Sequence, residues 1–583
     1  MKSKNTINRR DFIGKSALGV SGLILSSVLV GSCTDHNIPD PNDPNQNGSF
    51  DYGIASFDPT VNSIILWTRV TPSAGTQKVT LSYKLSKDPS FSSVLKTEMI
   101  DALAGDDFTV SIDISGLDSN QKYYYNFTIV NTSTVSATGE TLTLPKPGER
   151  SEVKLAVCSC SSYPAGLFNV YGAMATSEAD VILHLGDYIY EYGEGQYGTN
   201  DDTATLGRTH LPKNEILTLE DYRTRFKQYR SDPQLQLAHQ KKPFICVWDD
   251  HEIANDTYKD GAQNHNSGEG SFAERKQNAI KAYHEYIGIR TISDPKIYRT
   301  FTFGDIIDLH MLDTRVIGRD KQLSYTDYFN SAGQLDAAAF QKDWLNPTRT
   351  ILGTEQLGWL GAALNAGKSS WQVLGQQVLM GKMYVPAELL IGITQIVGEA
   401  TALGSATPAT FQKFQALLLA LTTIKARFLA KDPSLTTQEI ARISTVLPYN
   451  LDAWDGYPAE REKVYAMAKG KKLVALSGDS HNGWYSDLTT AGGEKAGKEF
   501  ATSSVTSPGF EEYLGTNATS LAGFEQALAL LVDDLNYVDA SRRGYVLTKF
   551  TNNQVIAEWR YVSTITTLNT TTTTGHQETI TNL

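Results

Sequence analysis

Five short stretches carry residues able to do chemistry: CSCSS with Cys160, HLGDYIYEYG with Asp187 and Tyr190, VWDDHE with Asp249, Asp250 and His251, MLDTR with Asp313 and Arg315, and SGDSH with Asp479 and His481. None is decisive alone. Gly-Asp is a common turn pair, WDDHE reads equally as the start of a helix, and GDSH as a simple turn. What they share is position, since each follows an apolar run (VKLAV, ADVILHL, PFICV, DIIDLHM, KKLVAL) and so ends a buried strand. Several carboxylates gathered without a cation would be opposed by burial and by mutual repulsion. A metal cluster removes that cost. Thiolate, phenolate and imidazole suit a redox-capable transition metal such as iron, while carboxylates and amide oxygens suit a harder ion such as calcium. His310, inside the apolar DLHML run, reads as a hydrogen-bonded core histidine rather than a ligand.

Residues at strand ends need a sheet covered on both faces, where ligands gather at the carboxyl ends of strands. Strand patterns alternating with helical stretches near 168–175 and 273–286 meet that need and predict an α/β domain over 150–563. Before Pro147 and Gly148 the texture differs. SIILWTRV, KVTLSYKLS, FTVSIDISGL, KYYYNFTIV and ETLTLP alternate with period two, which predicts a small antiparallel sandwich of immunoglobulin or fibronectin type over 50–146. It holds no titratable cluster and reads as a packing or spacer domain. Residues 386–446 carry Leu, Ala, Ile and Thr at helical spacing and read as a helical insert packed on the core, with a lid or membrane-facing element as the alternative. The Thr-rich tail, 564–583, predicts disorder.

A formal net charge of −12 over 583 residues, with no basic block beyond the N-terminus, argues against a nucleic acid or an anionic membrane surface as main partner. Residues 1–33 open basic, carry Arg9-Arg10 followed by Asp11 and Phe12, run weakly apolar from Ala17 to Val30 and reach Cys33. That order reads as a twin-arginine export signal, with Val30-Gly31-Ser32-Cys33 as a lipoprotein-type processing site and simple cleavage nearby as the alternative. A turn-rich linker, 34–49, follows as a tether. With Cys33 set aside, Cys158, Cys160 and Cys246 remain, an odd number that points to a thiol with another task. In one regular strand Cys158 and Cys160 would face the same side, too awkwardly spaced for a disulfide.

Taken as an ordered set of motifs, the chain resembles the PhoD-like alkaline phosphatase family, a branch of the metallophosphoesterases. The resemblance runs from GIASFDPTVNSIILWTRV almost to the end, interrupted by the helical insert. It rests on CSCSSYPAGLFNVY, HLGDYIYEYG, VWDDHEIANDTY, MLDTRV, LGTEQLGWL, WDGYPAERE, SGDSHNGWYSD and TSPGFE. It implies a four-layered α/β metallophosphoesterase sandwich behind a small all-β domain, hydrolysing phosphate monoesters and diesters with ferric iron (Fe3+) and calcium (Ca2+). The implied step is in-line attack of a metal-bound hydroxide. Carried over motif by motif, Cys160 is a thiolate ligand to iron, Asp187 bridges the metals, Tyr190 binds iron as phenolate and Asp250 takes the second-metal position. His251 would contact the phosphate or the leaving group, Asp479 and His481 would complete the metal shells, Asn255 is a further calcium candidate, and Arg315 would lie near the bound phosphate. Cys160 in place of Asp-x-His, and GDSH in place of GHxH, depart from the wider superfamily but are shared with this branch.

The expected partner is therefore a small phosphate ester or diester. A lid would favour monoesters, whereas an open apolar entrance would admit lipid or teichoic-acid-like diesters. A monomer is expected in the periplasm or cell envelope, reaching the membrane only through its lipid anchor. The alternative from another class is a non-catalytic cell-surface binding protein on the same fold, which lost ligands would mark; none of the expected ligands is missing. The anchor is checked with Cys33→Ser, which is expected to move the protein from the membrane to the soluble fraction. Unchanged fractionation would remove the lipid from the account.

Overall fold

The computed structural model describes residues 47–290, 295–330 and 335–581. The export signal expected at 1–33, Cys33 included, and the linker apart from 47–49 lie outside them. Among the described residues, no helix is long and apolar enough to cross a membrane.

Two large sheets face one another. The first has nine strands in the order Thr572–Ile580, Val555–Val562, Gly544–Phe550, Val153–Cys158, Val181–His184, Phe244–Cys246, Ile54–Phe57, Ser63–Arg69 and Thr109–Ser115. From Val153–Cys158 to Ile54–Phe57 neighbours run parallel. The second has seven strands, in which Ile307–Met311, Trp371–Gly375, Lys472–Ser477 and Lys495–Ala501 are likewise parallel. These strands are apolar throughout because both faces are covered. Val373 and Val474 share the core that lies against the first sheet, whereas Leu374, Leu473 and Ala475 pack with Leu360 and Val464 of the outer helices Gly353–Ala366 and Pro458–Met467. Helices Asn169–Thr176, Leu219–Arg230, Pro233–Lys241 and Phe272–Tyr286 contribute Val170, Phe226, Leu235 and Tyr283 to the core of the first sheet. Helix, sheet, sheet, helix is the four-layered arrangement.

The all-β segment is continuous with this frame, so of its two readings it is a packing element and not a spacer. Ile54–Phe57, Ser63–Arg69 and Thr109–Ser115 extend the first sheet through the parallel pairing of Phe57 with Phe244. Lys78–Ser86, Val94–Leu103, Lys122–Ile129 and Gly139–Leu142 form a second, four-stranded sheet. The run SIILWTR is buried at every position because it serves two cores. Ile64 and Leu66 meet Leu81, Tyr83 and Phe127 of the sandwich, while Ile65 and Trp67 enter the core of the α/β domain. Trp67 donates through Nε1 to the carbonyl of Glu285 at 2.7 Å, and the Arg230 guanidinium sits 4.2 Å over its ring.

The Thr-rich tail is not disordered. Thr572–Ile580 pairs antiparallel with Val555–Val562 and forms the edge of the nine-stranded sheet. Threonine is β-branched and fits an exposed edge strand, so its polarity reflects exposure, not absence of structure. Residues 386–446 leave and rejoin the body through the antiparallel pair Tyr384–Pro386 and Val446–Pro448. Between them lie helices Ala387–Leu403, Pro408–Leu429 and Thr437–Ser444, whose Leu389, Ile393, Phe414 and Ile424 share a core with Phe524 and Leu528 of helix Ala518–Leu531.

Trp67 ties its strand to the core of the α/β domain, so Trp67→Ala is expected to cost about 3–5 kcal/mol. Denaturant unfolding checks it. A loss below about 1 kcal/mol would show that this core does not depend on the side chain.

Candidate metal centre

The carboxyl ends of parallel strands from both sheets converge on one place. Val153–Cys158 leads to Cys160, Val181–His184 to Asp187 and Tyr190, Phe244–Cys246 to Asp249, Asp250 and His251, and Lys472–Ser477 to Asp479 and His481. Three groups have ligand atoms within 4.8 Å of one another: Cys160, Asp187 and His481; Asp187, Asp250 and His251; Asp249, Asp250 and Asp479. Asp187 and Asp250 each belong to two groups, so the three are contiguous.

The turns that aim these side chains use backbone that L-residues seldom adopt. Cys160, Asp187, Asp479 and His481 have φ of 61°, 54°, 61° and 62°, the left-handed region in which non-glycine residues are uncommon and cluster at functional sites. The two thiols are thereby separated. The strand ends at Cys158, whose thiol donates to the carbonyl of Leu183 at 3.6 Å in the core, while Cys160 turns towards Asp187 and His481. The expectation that they face the same side fails because alternation stops where the strand does. Gly186 has φ of 107°, and a Cβ there would lie 2.4 Å from Cβ of Asp249, so the Gly-Asp pair is required by the approach of the neighbouring strand end.

Tyr190 donates to Oδ2 of Asp187 at 3.0 Å and accepts from Oγ of Ser507 at 2.6 Å. Nε2 of His481 lies 3.3 Å from the same phenol, while its Nδ1 donates to the carbonyl of Pro508 at 2.8 Å. That carbonyl sets the tautomer and turns Nε2 to the cluster, the usual outer support of a ligating histidine. His251 is held at Nδ1 by Glu191 Oε2 at 2.7 Å. Glu252 accepts from the backbone N–H of Asp187 at 3.0 Å and of Asp249 at 2.7 Å, and also from that of Tyr188. Gln377 donates to the carbonyls of Trp248 at 2.6 Å and Leu312 at 3.0 Å, so it joins an end of each sheet.

Two expected residues have their side chains engaged by protein groups, Asn255 beside the cluster and Arg315 within it. The Asn255 side-chain amide donates to Gln263 at 3.0 Å rather than entering the cluster. The Arg315 donors face carboxylates and not an open phosphate position: Nε meets Asp249 at 2.5 Å, Nη2 meets Asp479 at 2.7 Å and Asp250 at 3.5 Å, and Nη1 meets Asp452 at 2.7 Å. A guanidinium that is 0% exposed among four acids must neutralise them, which is why its fork is taken up. Asp313, at the same strand end, lies apart and accepts the backbone N–H of Arg315, Val316 and Ile317, a turn cap with no ligand role. His310 is satisfied by Thr300 at 2.9 Å and Gln372 at 3.0 Å.

The side chains alone carry an excess of buried negative charge. Burial pushes Asp187 and Asp249 well above the usual carboxylate range, and neighbouring acids add to it. Burial likewise raises Asp479 to about 7 and lifts the Cys160 thiol and Tyr190 phenol well above their ordinary values, with Asp187 contributing to both. Burial lowers His481 to about 3, so the ring is neutral and able to ligate. Oδ2 of Asp249 finds no hydrogen-bond partner among the described residues. A neutral imidazole, a thiol, a phenol and orphaned carboxylate oxygen in one buried place are the donor set that metal cations satisfy. Glu191, Glu252, Gln377, Ser507 and Asp452 were not singled out from the sequence. HLGDYIYEYG, VWDDHE and TSPGFE contain Glu191, Glu252 and Ser507, and WDGYPAERE begins just after Asp452, but most of the pairings join residues far apart in the chain.

Comparison with known proteins agrees with this geometry. Residues 155–559 match the family described as PhoD-like phosphatase, and residues 36–145 match its N-terminal domain. The chain is similar to alkaline phosphatase D of Bacillus subtilis (strain 168), with 31% identity over 584 residues covering 96% of this chain and 85% of the relative. The solved structure of PhoD aligns with a TM-score of 0.72 at 29% identity, over 93% of this chain and 92% of that one. A purple acid phosphatase from yellow lupin (Lupinus luteus) seeds aligns at TM-score 0.50 and 11% identity, over 91% and 74% of the two chains, and shares the fold.

Because Arg315 is the internal cation for four acids, Arg315→Gln in the presence of a chelator is expected to lose about 3–5 kcal/mol of stability, as when one member of a buried ion pair is removed. Added divalent cation should restore part of that loss. Urea unfolding with and without the cation checks both, and unchanged stability would show that the acids do not need the guanidinium.

Proposed function

The chain belongs to the PhoD-like phosphatase family and is a phosphoric ester hydrolase, and from that premise we propose an exported, metal-dependent enzyme acting on small phosphate monoesters or diesters. The observation that carries the reading is the contiguity of the three ligand groups through Asp187 and Asp250. Cys160, Asp187, Tyr190 and His481 would hold Fe3+, the softer and more basic set, and Asp187, Asp250 and Asp479 would hold Ca2+. Asn255 would reach that second ion only by leaving Gln263. When bound, these cations would neutralise charge on the phosphoryl oxygens and on the attacking water.

The residues of the chain do the rest. Asp187 would keep the two positions close enough to serve one phosphoryl group. Arg315 keeps Asp249, Asp250 and Asp479 in place by charge. His251, with Nδ1 engaged by Glu191, has Nε2 to present to the departing oxygen and would protonate it as the ester bond breaks. With Nδ1 donating to Glu191 Oε2 at 2.7 Å, Nε2 is the ring nitrogen left to carry the proton that it would donate. Export by the twin-arginine route and a lipid anchor at Cys33 belong to the same proposal and rest on the motifs of residues 1–33.

Asp187→Asn is the test. It keeps the shape and removes the charge, so the variant is expected to fold, to lose one or both metals, and to hydrolyse phosphate esters at least about a hundredfold more slowly. Metal analysis, melting temperature and phosphate release from a monoester and a diester are read together. A fully metallated, active variant would mean that Asp187 is only a turn residue, whose replacement elsewhere on a surface changes stability by about half a kcal/mol.

A further inference from the structure

The proton donor of the site has a partner of its own. We infer that Glu191 is the positioning residue of His251, fixing the imidazole so that Nε2 faces the leaving oxygen of the ester. This rests on the assignment of His251 as the proton donor made above.

Glu191 follows Tyr190 directly and is fully buried. Its two oxygens are divided between tasks. Oε2 takes Nδ1 of His251 at 2.7 Å, while Oε1 accepts from the backbone N–H of Asn255 at 2.7 Å and from Nδ2 of Asn264 at 2.8 Å. The carboxylate is thus anchored from behind by two donors and presents its free side to the ring, and a partner held in this way selects one rotamer and one nitrogen of a histidine. Aromatic rings complete the hold. Tyr190 lies 4.3 Å, Tyr192 5.5 Å and Tyr197 6.3 Å from the imidazole centroid, the last at an interplanar angle of 9°.

The step that follows balances through solvent. Water adds to phosphorus and releases one proton to solvent, the bond from phosphorus to the leaving oxygen breaks, and its electron pair stays on that oxygen. The Nε2–H bond breaks as the new O–H bond forms. The imidazole becomes neutral and keeps its Nδ1–H on Glu191, and solvent returns a proton to Nε2. Proton donation matters most when the leaving alcohol is a poor leaving group, so the contribution of Glu191 must depend on the substrate.

The experiment compares 4-nitrophenyl phosphate, which needs little protonation, with the phosphate ester of a simple alkanol, which needs it. In the metallated enzyme, Glu191→Gln is expected to lower kcat on the alkyl ester by about a hundredfold and on the nitrophenyl ester by less than about tenfold, with metal content unchanged. His251→Asn should show the same split, and the double variant should be no slower than His251→Asn alone. If Glu191→Gln does not fold, Asn264→Ala, which removes one anchor of the carboxylate without touching the ring, should give the same split on a smaller scale. Equal losses on the two esters, or loss of metal, in the Glu191 or Asn264 variants would overturn the inference while leaving His251 as the donor. No split in His251→Asn would overturn the inference together with the assignment on which it rests.

Discussion

One buried carboxylate holds the site in register. Glu252 accepts hydrogen bonds from the backbone N–H groups of Asp187, Tyr188 and Asp249, and so binds the end of the Val181–His184 strand to the end of Phe244–Cys246. Those N–H groups lie where the parallel ladder has run out, buried and with no strand left to pair with, and leaving them unsatisfied would cost about 1–3 kcal/mol for each group. Burial pushes Glu252 up to about 7. A group that costly to ionise is kept because the geometry of Asp187, and with it the contact between the ligand groups, is set by this carboxylate. The left-handed backbone at Asp187 persists for the same reason, since strain of that kind survives only where the surroundings over-determine it.

The second constraint is the meeting of two sheets. Neither sheet holds a complete set of ligands: Cys160, Asp187 and Asp250 follow strands of the first, and Asp479 and His481 a strand of the second. The contacts between their ends are polar and local. Gln377 bridges the carbonyls of Trp248 and Leu312, Ser159 pairs with Ser504 in an isolated parallel bridge, and Ser507 donates to Tyr190 at 2.6 Å. The packing of Trp67 under Arg230 and against Glu285 ties the N-terminal strands to the same core, which explains why a segment with no chemistry of its own is built into the first sheet.

The parts legible in the sequence are those that depend on local pattern. Apolar runs ending in polar residues marked the strand ends, and their side chains do converge, because a covered parallel strand advertises itself over a few residues. What failed was also local in cause. Alternation placed Cys158 and Cys160 on one side, but the strand stops at Cys158. Composition made the Thr-rich tail disordered, though threonine at an edge is polar and β-forming at once. The unbroken burial of SIILWTR was visible as an apolar run, yet only the structure shows that its two faces serve two cores. Glu191, Glu252 and Gln377 were out of reach for another reason. Apart from the local bond of Glu252 to Asp249, their partners lie some sixty or more residues away, and no spacing rule joins Glu191 to His251 or Glu252 to Asp187.

Charge is distributed unevenly across the site. On the side of Asp249, Asp250 and Asp479 the protein supplies its own cation, Arg315, and on the side of Glu191 it supplies His251. Burial opposes the charge on Asp250, but Arg315 and His251 outweigh it and lower that carboxyl to about 2, while Asp249 and Asp479 beside it stay raised, so the compensation on that side is partial. Beside Cys160, Tyr190 and His481 the tightest contacts are a hydroxyl and neutral groups, Ser507 and the Pro508 carbonyl. Burial raises the thiol and the phenol there, and both must lose a proton to become anionic ligands. Ionising two such groups beside Asp187 demands positive charge that the protein does not supply there, whereas Arg315 meets part of the charge of Asp249, Asp250 and Asp479. The asymmetry between the two sides follows from the protein's own cations rather than from ligand softness alone.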